Sequence, residues 1–215
     1  MEELRQLADF QLDVLKEVGN IGAGHAATAL STLLSKPVDM TVPSVRLVPF
    51  ESIAESVGGD EQIVLAVFLR VLGDAPGNMF FIMDTASAKN LLRSMAGMDI
   101  TSYEKFSEME YSALGEIGNI LVGSYVSSLA DFTGLSLSPT VPSLAIDMAG
   151  AVLSFIDMAG AVLSFGLLQF GQMGDQALLI DTKFLEGQEE VRGHFFLIPD
   201  PESFGMIFSA LGVGK

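Results

Sequence analysis

Glu17 and Asn20 stand three residues apart in the run Asp13-x-x-x-Glu17-x-x-Asn20, and ninety-nine positions later Ser112-x-x-x-Glu116-x-x-Asn119 repeats it. A carboxylate can anchor a cationic group of a partner through a charge-assisted contact. A carboxamide carries both donor and acceptor and can orient a water. The pair supplies no nucleophile of its own, so it suits attack by water on a group that is already activated. Phosphoryl transfer, which depends chiefly on positioning and electrostatic stabilisation, asks least of such a set. Each copy is followed by twenty-two residues and a proline in the same setting, Thr41-Val42-Pro43-Ser44 and Thr140-Val141-Pro142-Ser143. One Glu/Asn pair alone reads as an ordinary solvated helix face; two copies imply two equivalent sites on a duplicated scaffold.

The elements that carry these residues read as helices. At about 100° per residue, Asp13, Glu17, Asn20 and Gly24 fall within an arc of roughly 60°, as do Ser112, Glu116, Asn119 and Gly123. Apolar residues flank each stripe: Leu15, Val18 and Ile21, then Leu114, Ile117 and Leu121. An interior glycine costs a helix about 1 kcal/mol relative to alanine. Gly19, Gly22, Gly24, Gly115, Gly118 and Gly123 accept that cost repeatedly. Something must approach these helices closely, whether the other helix or a partner.

The doubled motif, its spacing to proline, and the text Lys16-Glu17-Val18-Gly19-Asn20-Ile21-Gly22-Ala23-Gly24 with Glu116-Ile117-Gly118-Asn119-Ile120 resemble the CheC/CheX/FliY family of chemotaxis phosphatases, and the CheC type most closely. The resemblance covers nearly the whole chain. It implies hydrolysis of the phospho-aspartate on the response regulator CheY. Glu17 and Glu116 would then contact a lysine of that regulator, and Asn20 and Asn119 would orient the attacking water. The Mg²⁺ would belong to the phosphorylated partner, leaving this chain with no cofactor of its own. The receptor deamidase CheD is a further partner that the resemblance implies. Two alternatives stand beside the phosphatase: a non-catalytic chemotaxis or flagellar-switch binding module, as the related middle domain of FliM is, and a protein that acts mainly as a CheD-binding regulator. The presence of both Glu/Asn pairs argues against the first.

Composition bounds the partners. The net charge of −16, with eleven Lys and Arg, argues against nucleic acid and anionic membrane. The absence of cysteine excludes disulfide and thiolate chemistry and fits a reducing compartment, so a cytoplasmic location is expected. Residues 144–168 are apolar enough to mislead a hydropathy scan, but Asp147 and Asp157 lie within them and no basic flank follows. A membrane span is not expected there. His25 reads as structural and His194 as chemically idle. No glycine run has phosphate-loop spacing with its lysine.

An α+β fold follows from the order of patterns: a single domain over 1–215, built from a half-repeat over 1–98 and another over 107–215, with two long helices beside a mostly antiparallel sheet. In the first half a helix is expected from Arg5 to Leu34, before Lys36-Pro37. Strands are expected over Val38–Val48, Gln62–Leu72 and Asn78–Met83, a short helix over Phe50–Val57, and a helix capped by Asp84 that ends at Gly97. In the second half Ser107-Glu108-Met109-Glu110 is a capping box for a helix to Phe132, closed by Gly134. Leu135–Ile146 contains a strand, and Gln176–Phe184 and Gly193–Ile198 are two more. Asp200-Pro201 offers an N-cap and a first-turn proline for a helix to Leu211.

One irregularity interrupts the duplication. Residues 146–155, IDMAGAVLSF, are followed at once by the same ten residues, 156–165. So exact a copy marks a recent or engineered insertion. Its apolar spacing predicts helix rather than strand, with Asp147 as the cap of the first copy. The first copy should keep the parental register and the second should extend outward.

Overall fold

The computed structural model describes residues 2–49, 52–94, 97, 98, 100, 105–154, 176–186, 189–200 and 202–212. The chain order is α1 (Glu2–Leu34), β1 (Asp39–Pro49), α2 (Ile53–Ser56), β2 (Ile63–Gly73), β3 (Gly77–Asp84), α3 (Thr85–Ser94), α4 (Glu108–Thr133), β4 (Leu137–Pro139), β5 (Ser143–Met148), β6 (Gln176–Glu186), β7 (Glu189–Pro199) and α5 (Ser203–Ala210). Residues 149–154 are helical as well. The fold is the α+β arrangement expected, and every strand pairing is antiparallel.

Side-chain alternation along the strands sorts the apolar residues onto two faces. Leu65, Val67, Leu69 and Val71 of β2, with Phe81, Ile180 and Phe195 from other strands, face the main core under α1 and α4. The intervening Val64, Ala66, Phe80, Ile82, Leu179 and Phe196 face a smaller core. That core is closed by Ile53 and Ala54 of α2 and by Ala149, Val152 and Leu153. Full burial of each Val, Leu, Ile or Phe among them contributes about 1.5–3 kcal/mol.

The strand order is β1-β6-β7-β3-β2-β4, with β5 also on β2. The order reads alike from both edges. β1 does not pair with β2, its neighbour in sequence, but with β6; β2 in turn takes β4 and β5. At the centre β3 meets β7, where Phe80 lies opposite Phe196 and Phe81 opposite Phe195. The Phe81 and Phe195 rings stand 4.6 Å apart.

The helix ends follow the sequence signals. Ser107 Oγ accepts from the Glu110 N–H and the Glu110 carboxylate accepts from the Ser107 N–H, which completes the capping box of α4. Gly134 ends that helix at φ 68°, in the left-handed region that glycine enters without a Cβ penalty. Asp84 caps α3 by accepting from the Ser87 N–H at 2.8 Å.

Three expectations need correction. The first copy of the decamer is not wholly helical: Ile146, Asp147 and Met148 lie in β5, opposite Leu65, Val64 and Ile63. The open edge of β2 offers these residues a hydrogen-bonded ladder, and helical spacing gives way to it. Asp147 therefore pairs within the strand instead of capping. The first two amides of the turn that follows are taken by chain carbonyls, Ala149 N–H donating to Gln62 and Gly150 N–H to Asp60. Asp200 is likewise no side-chain cap, because its carboxylate is drawn into a bidentate pair with Arg70. The strand expected within Leu135–Ile146 is present, as β4 and β5 on either side of Thr140–Pro142. The second copy, 156–165, and the register expected for it lie outside the described residues.

Candidate functional site

Each Glu/Asn stripe is held by a helix whose opposite face is buried in the sheet. On α1, Leu15, Val18, Ala23 and Ala26 are buried. On α4, Leu114, Ile117, Leu121 and Val122 are. The remaining face of each helix then carries the polar positions outward. Asp13, Glu17 and Gly24 are exposed on α1, and Ser112, Glu116 and Asn119 on α4.

The glycines divide into two sets. A Cβ on Gly118 would stand 2.6 Å from Val67 of β2, and one on Gly22 would stand 3.3 Å from the Tyr125 Cα of α4. These two let α4 settle on the sheet and let the two long helices touch. Gly24, Gly115 and Gly123 instead have nothing within 4 Å of a built Cβ. Their helical cost is not repaid by packing within the described chain. Gly24 follows Asn20 by four residues and Gly123 follows Asn119 by four, one turn further along the same face.

The two Asn side chains are not in the same state. Asn119 is exposed, and among the described residues its side chain makes no hydrogen bond. Asn20 is half-buried and bonded. Its Oδ1 accepts from the Val42 N–H at 2.9 Å, and its Nδ2 donates to the Val42 carbonyl at 3.4 Å and to the Lys16 carbonyl at 3.0 Å. The cause is local. The β1–β6 register shifts between Thr41 and Ser44, so Val42 lies in the irregular stretch and turns its peptide groups toward α1. In the second copy the corresponding Val141 lies between β4 and β5 and is 89 % exposed. Glu17, Glu116 and Asn119 therefore face solvent, whereas Asn20 is turned toward β1.

Other contacts set the helices in place. His25 Nδ1 meets Ser128 Oγ at 3.2 Å, joining α1 to α4. Tyr125 of α4 reaches Thr182 of β6 at 3.2 Å, and burial pushes its phenol well above the ordinary range. Lys89 of α3 is fully buried beneath the start of α4. It donates to Glu110 Oε1 at 2.8 Å and to the Lys105 carbonyl at 2.7 Å. Burial opposes the charge on Glu110, but Lys89 and the Ser107 donors prevail and hold its carboxyl below the usual range. His194, which carried no expected role, donates through Nδ1 at 2.9 Å to Asp181 Oδ1, whose carboxylate also accepts from Ser44 and Arg46. Neither Lys89 nor Asp181 left a mark in the sequence, since each finds its partner only through the fold.

Chemically, each Glu/Asn pair presents one carboxylate, unpaired among the described residues, and one carboxamide to solvent or, at Asn20, to the junction with β1. Among the described residues no group of three or more His, Asp or Glu could hold a metal ion. No described helix is long and apolar enough to cross a membrane.

Comparison with known proteins bears on both helices. The CheC-like family model matches residues 10–46 and 109–146, which contain the two motifs and their prolines. The CheY-P phosphatase CheC of Bacillus subtilis is 42% identical over 206 residues, 94% of either chain. The flagellar motor switch phosphatase FliY of the same organism is 30% identical over 129 residues, 60% of this chain and 33% of that protein. Among solved structures, Thermotoga maritima FliY superposes with a TM-score of 0.71 at 19% identity, over 95% of this chain and 97% of that one. The middle domain of Helicobacter pylori FliM follows with a TM-score of 0.62 at 14% identity, over 93% and 97%. The two structures share the fold, whereas near full-length identity to CheC reaches further. This chain belongs to the CheC-like family.

Proposed function

We propose that this chain is a phosphatase for the phospho-aspartate of the response regulator CheY, with two sites, Glu17/Asn20 and Glu116/Asn119. In each, the glutamate meets a lysine of the regulator and the asparagine orients a water in line with the phosphorus. The water oxygen forms the new bond to phosphorus while the bond to the aspartate oxygen breaks. The regulator's carboxylate leaves as the anion and both water protons end on inorganic phosphate. The observation that carries this reading is the pair Glu116 and Asn119, exposed together on one helix face with neither side chain engaged by the described residues. One carboxylate and one carboxamide do not enclose a cation, so the Mg²⁺ of the reaction is assigned to the regulator.

The reaction is placed in the cytoplasm, and CheD is a further partner on the strength of the family resemblance. The test is the decay of purified phospho-CheY with this chain added, alone and with CheD. Acceleration that disappears in the Asn20→Ala/Asn119→Ala double variant supports the reading. A double variant as active as the parent overturns it.

A further inference from the structure

At the ninth residue of α1 and the second of α4, the same kind of side chain breaks the usual rule of burial. Phe10 is 57% exposed and Met109 is 73% exposed. A single exposed apolar residue needs no explanation. These two occupy equivalent places, seven residues before Glu17 and seven before Glu116. Seven residues bring a helix back to within about 20° of the same direction. Each therefore extends its own stripe: Phe10, Asp13, Glu17, Asn20, Gly24 on α1, and Met109, Ser112, Glu116, Asn119, Gly123 on α4. The spacing of three, four, three and four is that of a narrow packing seam, bulky and apolar at one end and bare of side chain at the other. Among the described residues the sheet uses neither end, because Phe10 and Met109 lie outside both cores and a Cβ built on Gly24 or Gly123 would meet nothing within 4 Å.

We propose that each stripe is a docking seam for the phosphorylated regulator, with Phe10 or Met109 seated in an apolar recess of that protein. The proposal rests on the phosphatase reading for the identity of the partner. Charge and spacing fix what the recess must look like. Seven residues of helix span about 10 Å, so the recess lies about 10 Å from the lysine that meets Glu17 or Glu116. On the far side of that lysine the bare turn at Gly24 or Gly123 admits the regulator's backbone beside the asparagine. Apolar contact then supplies affinity, and the Glu/Asn pair supplies chemistry.

The two roles separate in one experiment on the full chain. Binding to beryllofluoride-activated CheY is measured by calorimetry, and turnover by decay of phospho-CheY across regulator concentration. Phe10→Asp with Met109→Asp should weaken binding about tenfold or more and raise KM, with kcat at saturation held to within about twofold. Phe10→Leu with Met109→Leu should keep the parental affinity. Circular dichroism and gel filtration show whether the variants keep the parental fold and mass. Unchanged binding in the aspartate variant overturns the seam, as does a fall in kcat at unchanged affinity. A change only in the chain's own association assigns these residues to a self-contact and overturns it too. If the parent binds activated CheY and never speeds its dephosphorylation, the phosphatase reading fails while binding still decides the seam.

Discussion

Asn20 closes on Val42 from both sides, its Oδ1 taking the valine N–H at 2.9 Å and its Nδ2 giving to the valine carbonyl. The side-chain amide thus stands in for a neighbouring strand at an irregular point of the β1–β6 ladder. Asn119 has no such duty. The two copies share a motif and divide its work differently.

Removing the amide should therefore cost stability on one side only. Asn20→Ala leaves the Val42 peptide unpaired at a half-buried junction, a loss of about 1–3 kcal/mol. Asn119→Ala should stay within about 0.5 kcal/mol of the parent, as surface substitutions do. Urea unfolding of the two variants checks this. Equal shifts in midpoint would mean that the Val42 contact carries no weight.

Turnover should fall in the opposite order. Both hydrogens on Nδ2 of Asn20 are already given, to Lys16 and Val42. Engaging a partner there requires releasing them, whereas Asn119 is free to act. Asn119→Ala should reduce phospho-CheY hydrolysis more than Asn20→Ala, and the double variant should be nearly inactive. Initial rates at saturating regulator rank the two.

The open glycines allow a gain in stability at the expense of activity. Gly24→Ala meets no neighbour and should stabilise α1 by about 0.5–1 kcal/mol through helix propensity. Gly22→Ala places a Cβ 3.3 Å from the Tyr125 backbone and should destabilise the helix contact. Thermal melts separate the two, and the rate of the Gly24 variant shows whether its space serves a partner.

Acid should undo the anchor of α4. A carboxyl held lower in the fold than in the unfolded chain adds stability above its unfolded pKa and loses it as pH falls through the folded value. Glu110 is such a group, with burial opposing its charge and Lys89 and Ser107 sustaining it. Stability of the parent should drop on acidification below the ordinary carboxylate range. Lys89→Met, which strands Glu110, should cost about 3–5 kcal/mol near neutrality and lose most of that slope. An unaltered acid profile in this variant would place the slope on other carboxylates.

Much of this fold is written locally. The limits of β1, β2 and β3, the capping box at Ser107 and the stop at Gly134 all follow from neighbours in the chain, and the sequence signals locate them to within a residue or two. The stripes were legible for the same reason, since helical periodicity fixes which residues share a face. Three features were not. Asp147 follows a helical pattern, but the edge of β2 is free and captures it. Asp200 has the sequence of a cap, but Arg70 comes from a strand 130 residues earlier. Asn20 is held through a ladder irregularity whose position depends on β6. In each case a long-range partner outcompetes a local preference, and a single sequence carries no trace of that partner.

The exchange of edge strands has a kinetic consequence. β1 is made before the other strands of the sheet, yet its partners in β6 lie more than a hundred residues downstream, from Asp39 opposite Leu185 to Pro49 opposite Gln176. Loop closure of that span must precede any gain from pairing, which slows folding. Until β6 emerges from the ribosome, β1 remains a strand without a neighbour, open to pairing with β1 or β6 of another copy. Synthesis rate and local concentration, rather than the stability of the finished sheet, then govern how much chain reaches it.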